Sequence, residues 1–510
     1  MKNLLIFACI FLFSLFLRLP FFFEDVISWD ESTFILMGQT ILNGHLPYTK
    51  LWDNKPPIAF ASHAFWIMFF GKSIVGIRFA GTAHVTVTSF CSYLIGEKVW
   101  NRWTGVIAGV FSVILISILP DGQATMTEVI VSTPLMLALC ILTSNQNITR
   151  SHFFIVGSLL AIAAMIRLNL AYVSLILGCF IFAFLLKEKT PLRDIIINII
   201  AYTLGHILII LATIIPYFLR GEGTEWWRSV VLAPLSYTSA RASALQTLKG
   251  QIGNLAVIHN IYDSPYFLIG MLTWTTASLG ITYALINWRK FRAPQRRAYI
   301  FTLVFYFSTA LSIIKGGAAP EHYLIQIASF SSLLSAIFLG DLIDKKKIRI
   351  VILAVIVITI LTTCNSLTSE RYKILSGKIL KNQQLLSGPS FEVADYIKQN
   401  RQPDELVYMM DNHIVYWLID AEPLSKCSTH PSNITKSELF PYCANRSDAT
   451  PESELRKILL QKPGFIVMVE SYPWYVKKQD SALLLLKETL ERDYRLAKNI
   501  ENLQIYRIVR

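Results

Sequence analysis

Long apolar runs separated by short polar segments fill the first 366 residues of the chain. A helix needs roughly 17–25 apolar residues to cross a bilayer. Runs of about this length lie near residues 4–23, 76–96, 103–119, 127–144, 152–168, 170–186, 195–218, 264–287, 298–314, 323–340 and 348–366. The pattern therefore predicts an all-α membrane bundle of about eleven transmembrane helices over residues 1–366.

The residues after 366 follow a different pattern. Apolar residues crowd into short stretches typical of strands at 405–410, 464–470 and 503–509, whereas 392–400 and 453–460 have helical spacing. Residues 367–510 are therefore expected to form a small α/β domain outside the membrane.

Composition agrees with a membrane protein. Apolar residues make up 53% of the chain and charged residues only 16%, which excludes a soluble or disordered protein. The net charge of +13 suggests nucleic-acid binding at first sight. The basic residues, however, concentrate in alternate loops, so membrane topology explains the charge and no nucleic-acid partner is expected.

Those basic loops predict the orientation of the chain. Lysine and arginine are retained on the cytoplasmic side of a bacterial membrane. With the N-terminus inside, the inner loops contain Lys98, Arg102, Arg150, Lys187, Lys189, Arg193, Arg289, Lys290, Arg292, Arg296, Arg297, Lys345, Lys346, Lys347 and Arg349. An odd number of spans then places the C-terminal domain on the outer side.

The first outer loop, residues 24–75, is long and amphipathic, and long ordered loops often carry function. Ser28 and Glu31 have the spacing of a capping box, and Asn43-Gly44 is a typical helix end. A second apolar stretch, 56–70, is too short to span the membrane. We expect both stretches to be interfacial helices.

This loop and three later segments carry a family resemblance. The residues concerned are Ser28-Trp29-Asp30-Glu31-Ser32-Thr33-Phe34, Asn43-Gly44-His45-Leu46-Pro47-Tyr48, Trp52-Asp53-Asn54-Lys55-Pro56-Pro57, Arg78, Glu128, Lys315-Gly316-Gly317 and His322-Tyr323. Together they resemble the polyprenyl-phosphate-sugar-dependent membrane glycosyltransferases of the C-type fold, which include the lipid A aminoarabinose transferase and the protein mannosyltransferases. The resemblance covers most of residues 1–345.

The resemblance implies an inverting enzyme that moves one sugar from a polyprenyl-phosphate carrier to a periplasmic acceptor, such as lipid A, lipopolysaccharide or another cell-envelope glycan. It also implies a multi-pass protein of the bacterial inner membrane with a periplasmic C-terminal domain. Two alternatives stay open: a protein O-glycosyltransferase that uses the same type of donor, and a transporter or flippase of lipid-linked sugars.

Such a reaction needs a carboxylate that deprotonates the acceptor hydroxyl, and cations that neutralise the leaving phosphate. Asp30 is the expected base, Glu128 shares that work or orients the acceptor, and Glu31 supports them. The candidates for binding donor phosphate or sugar are Lys55, Arg78, Arg167, Lys315, His322 and Tyr323. Asp30, Lys55 and Lys315 are expected to converge on one pocket beside the outer leaflet. No cofactor or metal is expected, because the histidines lack ligand spacing and Asn54 stands where some relatives have an acidic residue.

Each candidate also has a purely structural interpretation. Asp30 suits a helix N-terminus, Lys55 and Arg18 can snorkel to the headgroups, and Arg167 marks an outer turn between two spans. The aromatic belt of a membrane protein accounts equally well for His322-Tyr323. Cys427 and Cys443 either form a disulfide or stay free thiols. Three glycosylation triplets, which begin at Asn147, Asn433 and Asn445, arise easily by chance.

Overall fold

The computed structural model describes residues 1–144, 147–239, 243, 245–250, 267–317, 321–344, 349–430, 438–446, 448–477 and 480–509. The predicted inner loop 345–347, the triplet at Asn433 and the start of the predicted run 264–287 lie outside these residues. The chain divides into two units. Unit 1 comprises Met1–Phe22, Arg78–Ala212 and Ala242–Asn382, and unit 2 comprises Phe23–Ile77, Thr213–Arg241 and Gln383–Arg510.

A helix stands at each of the eleven predicted runs. Their bounds are Lys2–Arg18, Ile74–Val99, Arg102–Ile118, Thr127–Ser144, Arg150–Ile166, Ala171–Lys187, Leu192–Leu219, Phe267–Ile286, Ala293–Lys315, Ile325–Asp344 and Arg349–Leu380. Among the described residues, 8 helices are long and apolar enough to cross a membrane, and Arg102–Ile118 and Arg150–Ile166 are shorter apolar helices. The chain is thus a multi-pass membrane protein, and the number of crossings stays a prediction.

Small residues let the helices of unit 1 approach closely. A Cβ atom on Gly96 would lie 2.8 Å from the Cα of Gly105, and one on Gly157 would lie 2.0 Å from the carbonyl oxygen of Tyr202. Only glycine fits such contacts. They are common between membrane helices, because the hydrophobic effect does not drive helices together in lipid and close van der Waals packing must do so instead. These positions fix how helices Ile74–Val99 and Arg102–Ile118, and helices Arg150–Ile166 and Leu192–Leu219, pack together.

Arg18 corrects one expectation. It does not snorkel, because its side chain is completely buried in unit 1. Its guanidinium donates to the carbonyl oxygens of Gly122 and Gln123, the latter at 3.0 Å, and to the Thr82 hydroxyl at 3.2 Å. The turn after helix Arg102–Ile118 leaves backbone carbonyls inside the bundle, and Arg18 satisfies them where water cannot.

Unit 2 combines the first loop, residues 213–241 and the C-terminal tail. The first-loop helices are Trp29–Leu42 and Pro57–Phe70. Short helical segments follow at Gly223–Trp227, Arg228–Leu232 and Ala233–Ser239. The helices of the tail are Pro389–Asn400, Ile414–Leu418, Phe440–Cys443, Pro451–Leu460, Trp474–Lys477 and Asp480–Asp493.

The tail contains a four-stranded mixed sheet, so the α/β prediction is confirmed. The strands are β1 (Val407–Met409), β2 (Phe465–Val469), β3 (Tyr494–Ile500) and β4 (Leu503–Ile508), in the order β1-β2-β4-β3. β1 pairs in parallel with β2, whereas β4 is antiparallel to both neighbours. Strand β3 was not predicted, because it lies at the sheet edge and only its end residues Tyr494 and Ile500 are buried.

The first-loop helices are placed largely as predicted. Ser28 is the N-cap of Trp29–Leu42 and Asn43 its C-cap, followed by Gly44 with a φ of 90°. The expected capping box is wrong in one respect, since the Ser28 side chain makes no cap hydrogen bond. Helix Trp29–Leu42 is buried on all faces from Glu31 to Gly38 because helix Pro57–Phe70 and the tail both pack on it. Helix Pro57–Phe70 leaves Phe65, Met68 and Phe69 exposed, as an interfacial helix does.

Candidate active site

Asp30 lies at the centre of a small ionic cluster in unit 2. One carboxylate oxygen, Oδ2, is 3.6 Å from the Lys55 amine, and the other, Oδ1, is 3.0 Å from Nε2 of His430. The three side chains are 14–26% exposed, so they are accessible to solvent but mostly shielded from it. The edge of the Trp29 ring faces the His430 ring with 6.4 Å between centroids. A half-buried carboxylate with a cation on one oxygen and an imidazole on the other is equipped to take and pass on a proton.

Local contacts fix the position of Lys55. Its backbone N–H donates to Asp53 Oδ1 at 3.2 Å, and its carbonyl accepts from the Tyr48 hydroxyl at 2.5 Å. Its amine lies 5.6 Å from the centre of the Phe34 ring. Helix Pro57–Phe70 begins two residues later, and the ring of Pro57 fixes its φ at a helical value. Lys55 therefore turns toward Asp30 and does not simply snorkel.

The tail brings His430 to the first loop through a chain of backbone contacts. Thr33 donates to the carbonyl of Thr429 at 2.8 Å, and the Thr429 hydroxyl donates to the carbonyl of Trp52 at 2.6 Å. Nearby, the Trp52 N–H donates to the carbonyl of Lys426 at 3.0 Å. Cys427 and Cys443 form a disulfide with 5.4 Å between their Cα atoms, which resolves the question that the sequence left open.

A buried pair of titratable residues follows β1, close to His430. Burial raises the pKa of Asp411 to about 6, and a hydrogen bond to the Val469 backbone opposes that shift. Burial, followed by the charge of His430, lowers the pKa of His413 to about 3. Both residues are therefore held toward their neutral forms, because neither charge is well solvated there.

Unit 1 contains a second polar cluster, around Glu128. The Glu128 carboxylate is completely buried and forms an ion pair with Arg167 Nη1, which is 2.7 Å from the Thr127 hydroxyl. Glu128 is therefore paired inside the bundle. Arg167 ends helix Arg150–Ile166 and reaches Glu128 at the start of the neighbouring helix Thr127–Ser144. It does mark the predicted turn, and its guanidinium also stacks 4.3 Å from the centre of the Tyr323 ring.

His322 links Glu128 to a residue that sequence reasoning missed. Its Nδ1 is 3.1 Å from Asp121 Oδ2, and its Nε2 is 3.5 Å from Glu128 Oε1. Asp121 has a φ of 58°, in the left-handed region that aspartate tolerates in turns. The triplet Pro120-Asp121-Gly122 between two apolar runs was a recognisable turn signal, but nothing marked its carboxylate as functional.

The remaining predicted residues lie in different settings. Arg78 is buried in unit 1 and donates to the Phe21 carbonyl at 2.6 Å. Lys315 is exposed at the end of helix Ala293–Lys315 and lies near Asn169, which donates to Ser312 at 3.0 Å. Glu31 is buried in unit 2. Asp30 and Lys55 do meet, as predicted, whereas Lys315 belongs to unit 1 and its convergence with them stays a prediction.

His430 is the main residue that the sequence did not reveal. It lies in the tail, far along the chain from Asp30, and no spacing connects the two. Within the described ranges, the His, Cys, Asp and Glu side chains form no group of three or more that could hold a metal ion.

A family model describes part of the chain. Residues 54–219 match the model for dolichyl-phosphate-mannose-protein mannosyltransferases. This range includes Lys55, Arg78, Glu128 and Arg167. Comparison of the sequence with curated proteins gave no significant match.

Three solved structures of two proteins match nearly the whole chain. ArnT from Cupriavidus metallidurans in the apo state has a TM-score of 0.63 at 11% identity, covering 99% of this chain and 97% of that one. ArnT from the same organism bound to undecaprenyl phosphate has a TM-score of 0.60 at 12% identity, with the same coverage of both chains. The archaeal oligosaccharyltransferase AglB from Archaeoglobus fulgidus, in complex with an inhibitory peptide and a dolichol-phosphate, gives 0.53 at 12%, covering 100% of this chain and 74% of that one.

The match over residues 54–219 and the fold over nearly the full length agree with the family resemblance in the sequence. The chain is therefore similar to the dolichyl-phosphate-mannose-protein mannosyltransferases over residues 54–219 and has the fold of ArnT over nearly its full length.

Proposed function

We propose that this protein transfers a single sugar from a polyprenyl-phosphate carrier to an acceptor hydroxyl at the outer face of the bacterial inner membrane, with inversion at the anomeric carbon. One observation carries the proposal: the Asp30 carboxylate lies between Lys55 and His430, at 3.6 and 3.0 Å. The fold and the family model supply the type of reaction, and this cluster supplies a base for it.

In the proposed step, Asp30 accepts the proton of the acceptor hydroxyl while that oxygen attacks the anomeric carbon. The bond from the anomeric carbon to the phosphate oxygen breaks, and its electron pair leaves with the lipid phosphate. A phosphate leaving group is a weak base, so neutralisation of its charge is enough and a strong general acid is not required. One displacement at carbon inverts the configuration, whereas retention would require a second nucleophile.

Lys55 and His430 have complementary proposed roles. The Lys55 charge balances that of Asp30 and attracts the phosphate of the donor. His430 holds the Asp30 carboxylate in one orientation and relays the proton from it to solvent. Glu31, buried in the same helix, supports the position of Asp30.

The residues of unit 1 are proposed to handle the donor. Lys315 suits the phosphate best, because it is exposed while the charge of Arg167 is balanced by Glu128. His322 and Tyr323 offer a ring pair, 5.1 Å between centroids, on which a sugar can stack. Glu128 and Arg78 are proposed to hold these groups in place.

The acceptor is proposed to be a glycolipid, such as lipid A or lipopolysaccharide, or another envelope glycan. A protein hydroxyl is the second candidate, because the matching family is described as protein mannosyltransferases and AglB was solved with a peptide. Both acceptors use the same base and the same donor.

The outer location is supported by two features of unit 2. The first loop and the tail belong to one unit, so both must lie on the same side of the membrane. The disulfide between Cys427 and Cys443 requires an oxidising compartment, which for a bacterial inner-membrane protein is the periplasm. Labelling of a cysteine introduced at exposed His45 by an impermeant reagent on intact cells with a permeabilised outer membrane tests this side directly.

The test of function compares cells with and without the gene by mass spectrometry of lipid A, envelope glycans and secreted proteins. A single missing sugar identifies donor and acceptor. That acceptor is then offered to the purified protein in proteoliposomes with its polyprenyl-phosphate sugar. The Asp30→Asn variant should bind donor but form no product, whereas full activity of this variant would contradict the proposed base. Movement of lipid-linked sugar without glycoside formation would indicate the transporter instead.

A further inference from the structure

Unit 1 contains a cavity that the proposed reaction does not use. Its volume is about 840 Å³, and it lies among helices Arg150–Ile166, Ala171–Lys187 and Ala293–Lys315. Its walls are aromatic, and the Phe301 ring makes edge contacts with Phe180 at 5.3 Å and with Phe184 at 5.4 Å between centroids. Its mouth carries Lys187, Arg296 and Arg297.

The cavity is remote from the Glu128 cluster. Arg167 follows the last residue of helix Arg150–Ile166, whereas Asn147 and Phe153, near the start of that helix, line the cavity. Lys315 is likewise the last residue of the helix whose first turn, Ala293–Arg297, lines it. At about 1.5 Å per residue, helices of 17 and 23 residues separate the two places by roughly 25–35 Å, which is the thickness of a bilayer core. The cavity therefore belongs to the opposite leaflet.

The charges around the cavity favour an anion. Three cations face one carboxylate, that of Glu188, so the lining has a net charge of +2. Arg296 and Arg297 are half-buried. Because burial removes water from their charges, a nearby anion stabilises them more than it would stabilise exposed arginines. Arg296 is held in place, since its guanidinium donates to the carbonyl oxygens of Trp288 at 3.1 Å and Arg289 at 3.0 Å.

We infer that this cavity binds an anionic diacyl phospholipid of the leaflet opposite the Glu128 cluster. The headgroup phosphate lies between Lys187, Arg296 and Arg297, and an acyl chain lies against the phenylalanine wall. A basic mouth above an apolar pocket between transmembrane helices is the arrangement that recognises such lipids. The occupant supports the packing of three helices and undergoes no chemical step.

The experiment uses the purified full-length protein in detergent, with thermal unfolding and native mass spectrometry as readouts. Phosphatidylglycerol should raise the melting temperature and stay bound, whereas phosphatidylcholine with the same acyl chains should not. The double variant Arg296→Gln/Arg297→Gln should weaken binding of the anionic lipid at least about tenfold, because each basic residue near the headgroup contributes about fivefold in affinity.

Two further variants guard against misfolding as an explanation. Glu188→Gln removes the only carboxylate of the described lining and should tighten binding. Arg289→Gln/Lys290→Gln removes two exposed charges from the same loop and should leave binding unchanged. Equal binding of anionic and zwitterionic lipids, an equal loss in both double variants, or preferential retention of polyprenyl phosphate would each overturn the inference. None of these readouts depends on sugar transfer, so they are independent of the proposed function.

Discussion

Asp30 and His430 meet at 3.0 Å between Oδ1 and Nε2, although one opens the first helix of unit 2 and the other lies in its C-terminal tail. The contact depends on Thr429, which bonds to both first-loop segments through Thr33 and Trp52. The tail therefore contributes a side chain to the ionic cluster around Asp30. A tail that only covered the loop would not need an imidazole at this carboxylate.

Replacement of His430 by Gln should slow sugar transfer by about tenfold to a hundredfold, within the usual range for an acid–base group. Glutamine keeps a hydrogen bond to Asp30 but cannot carry the proton away. The measurement is kcat against pH, in which the variant should lose one of the two limbs of the profile. His45→Gln, an exposed histidine of the first loop, is the control. An unchanged pH profile for His430→Gln would show that the residue only positions Asp30.

The ion pair of Glu128 and Arg167 gives a stability prediction. Arg167→Met should lower the free energy of unfolding by about 3–5 kcal/mol, because it leaves a carboxylate buried without its partner. Arg167→Met combined with Glu128→Gln should recover much of that loss, since no buried charge is then uncompensated. Thermal unfolding in one detergent measures both variants. Additive losses in the double variant would mean that the two charges do not depend on each other.

The stability of the tail should depend on pH through two residues whose effects have opposite signs. The folded pKa of Asp411 is raised to about 6, so its contribution to stability is present at low pH and is lost as pH rises through 6. The folded pKa of His413 is lowered from 6.5 to about 3, so its contribution is present above pH 6.5 and is lost as pH falls. In the native chain the two largely cancel between about pH 4 and 6.

Single substitutions should separate them. Asp411→Asn leaves only the effect of His413. The free energy of unfolding of this variant should therefore fall by about 2 kcal/mol as the pH is lowered from 8 to 5. His413→Gln leaves only the effect of Asp411. The free energy of unfolding of this variant should therefore rise by about 1 kcal/mol as the pH is lowered from 8 to 5. Hydrogen exchange of the amides in β1 and β2, corrected for intrinsic rates, reports both. Shifts of the same sign in the two variants would contradict the assignment.

The disulfide should hold the segment that carries His430. A disulfide between cysteines 16 positions apart in sequence stabilises a fold by about 3 kcal/mol when the chain entropy of the unfolded state is considered. Cys427→Ala/Cys443→Ala should therefore loosen Thr429 and His430 and lower sugar transfer. Protease sensitivity of residues 427–443, with Cys9→Ala as the control, measures the loosening. Activity that survives both the double substitution and reducing agent would show that hydrogen bonds alone hold His430.

Several features of this protein were determined by the sequence itself. The membrane helices follow from runs of apolar residues, because no other regular structure hides its backbone in lipid without partners. The sheet of the tail follows from short apolar stretches, and helix Trp29–Leu42 ends at Asn43-Gly44 because glycine accepts the left-handed conformation there. The meeting of Asp30 and Lys55 was predicted from the family resemblance and joins two segments of the first loop.

Tertiary structure alone decided the rest. Arg18 was expected to reach headgroups and instead satisfies backbone carbonyls, because a periodic pattern does not say which arginine will find partners inside a bundle. The pairing of Glu128 with Arg167 and His322, and of Asp30 with His430, joins residues far apart in sequence. Neither hydrophobic periodicity nor local propensity contains information about such distances. They are set by the packing of whole helices and by the folding of the tail onto the first loop.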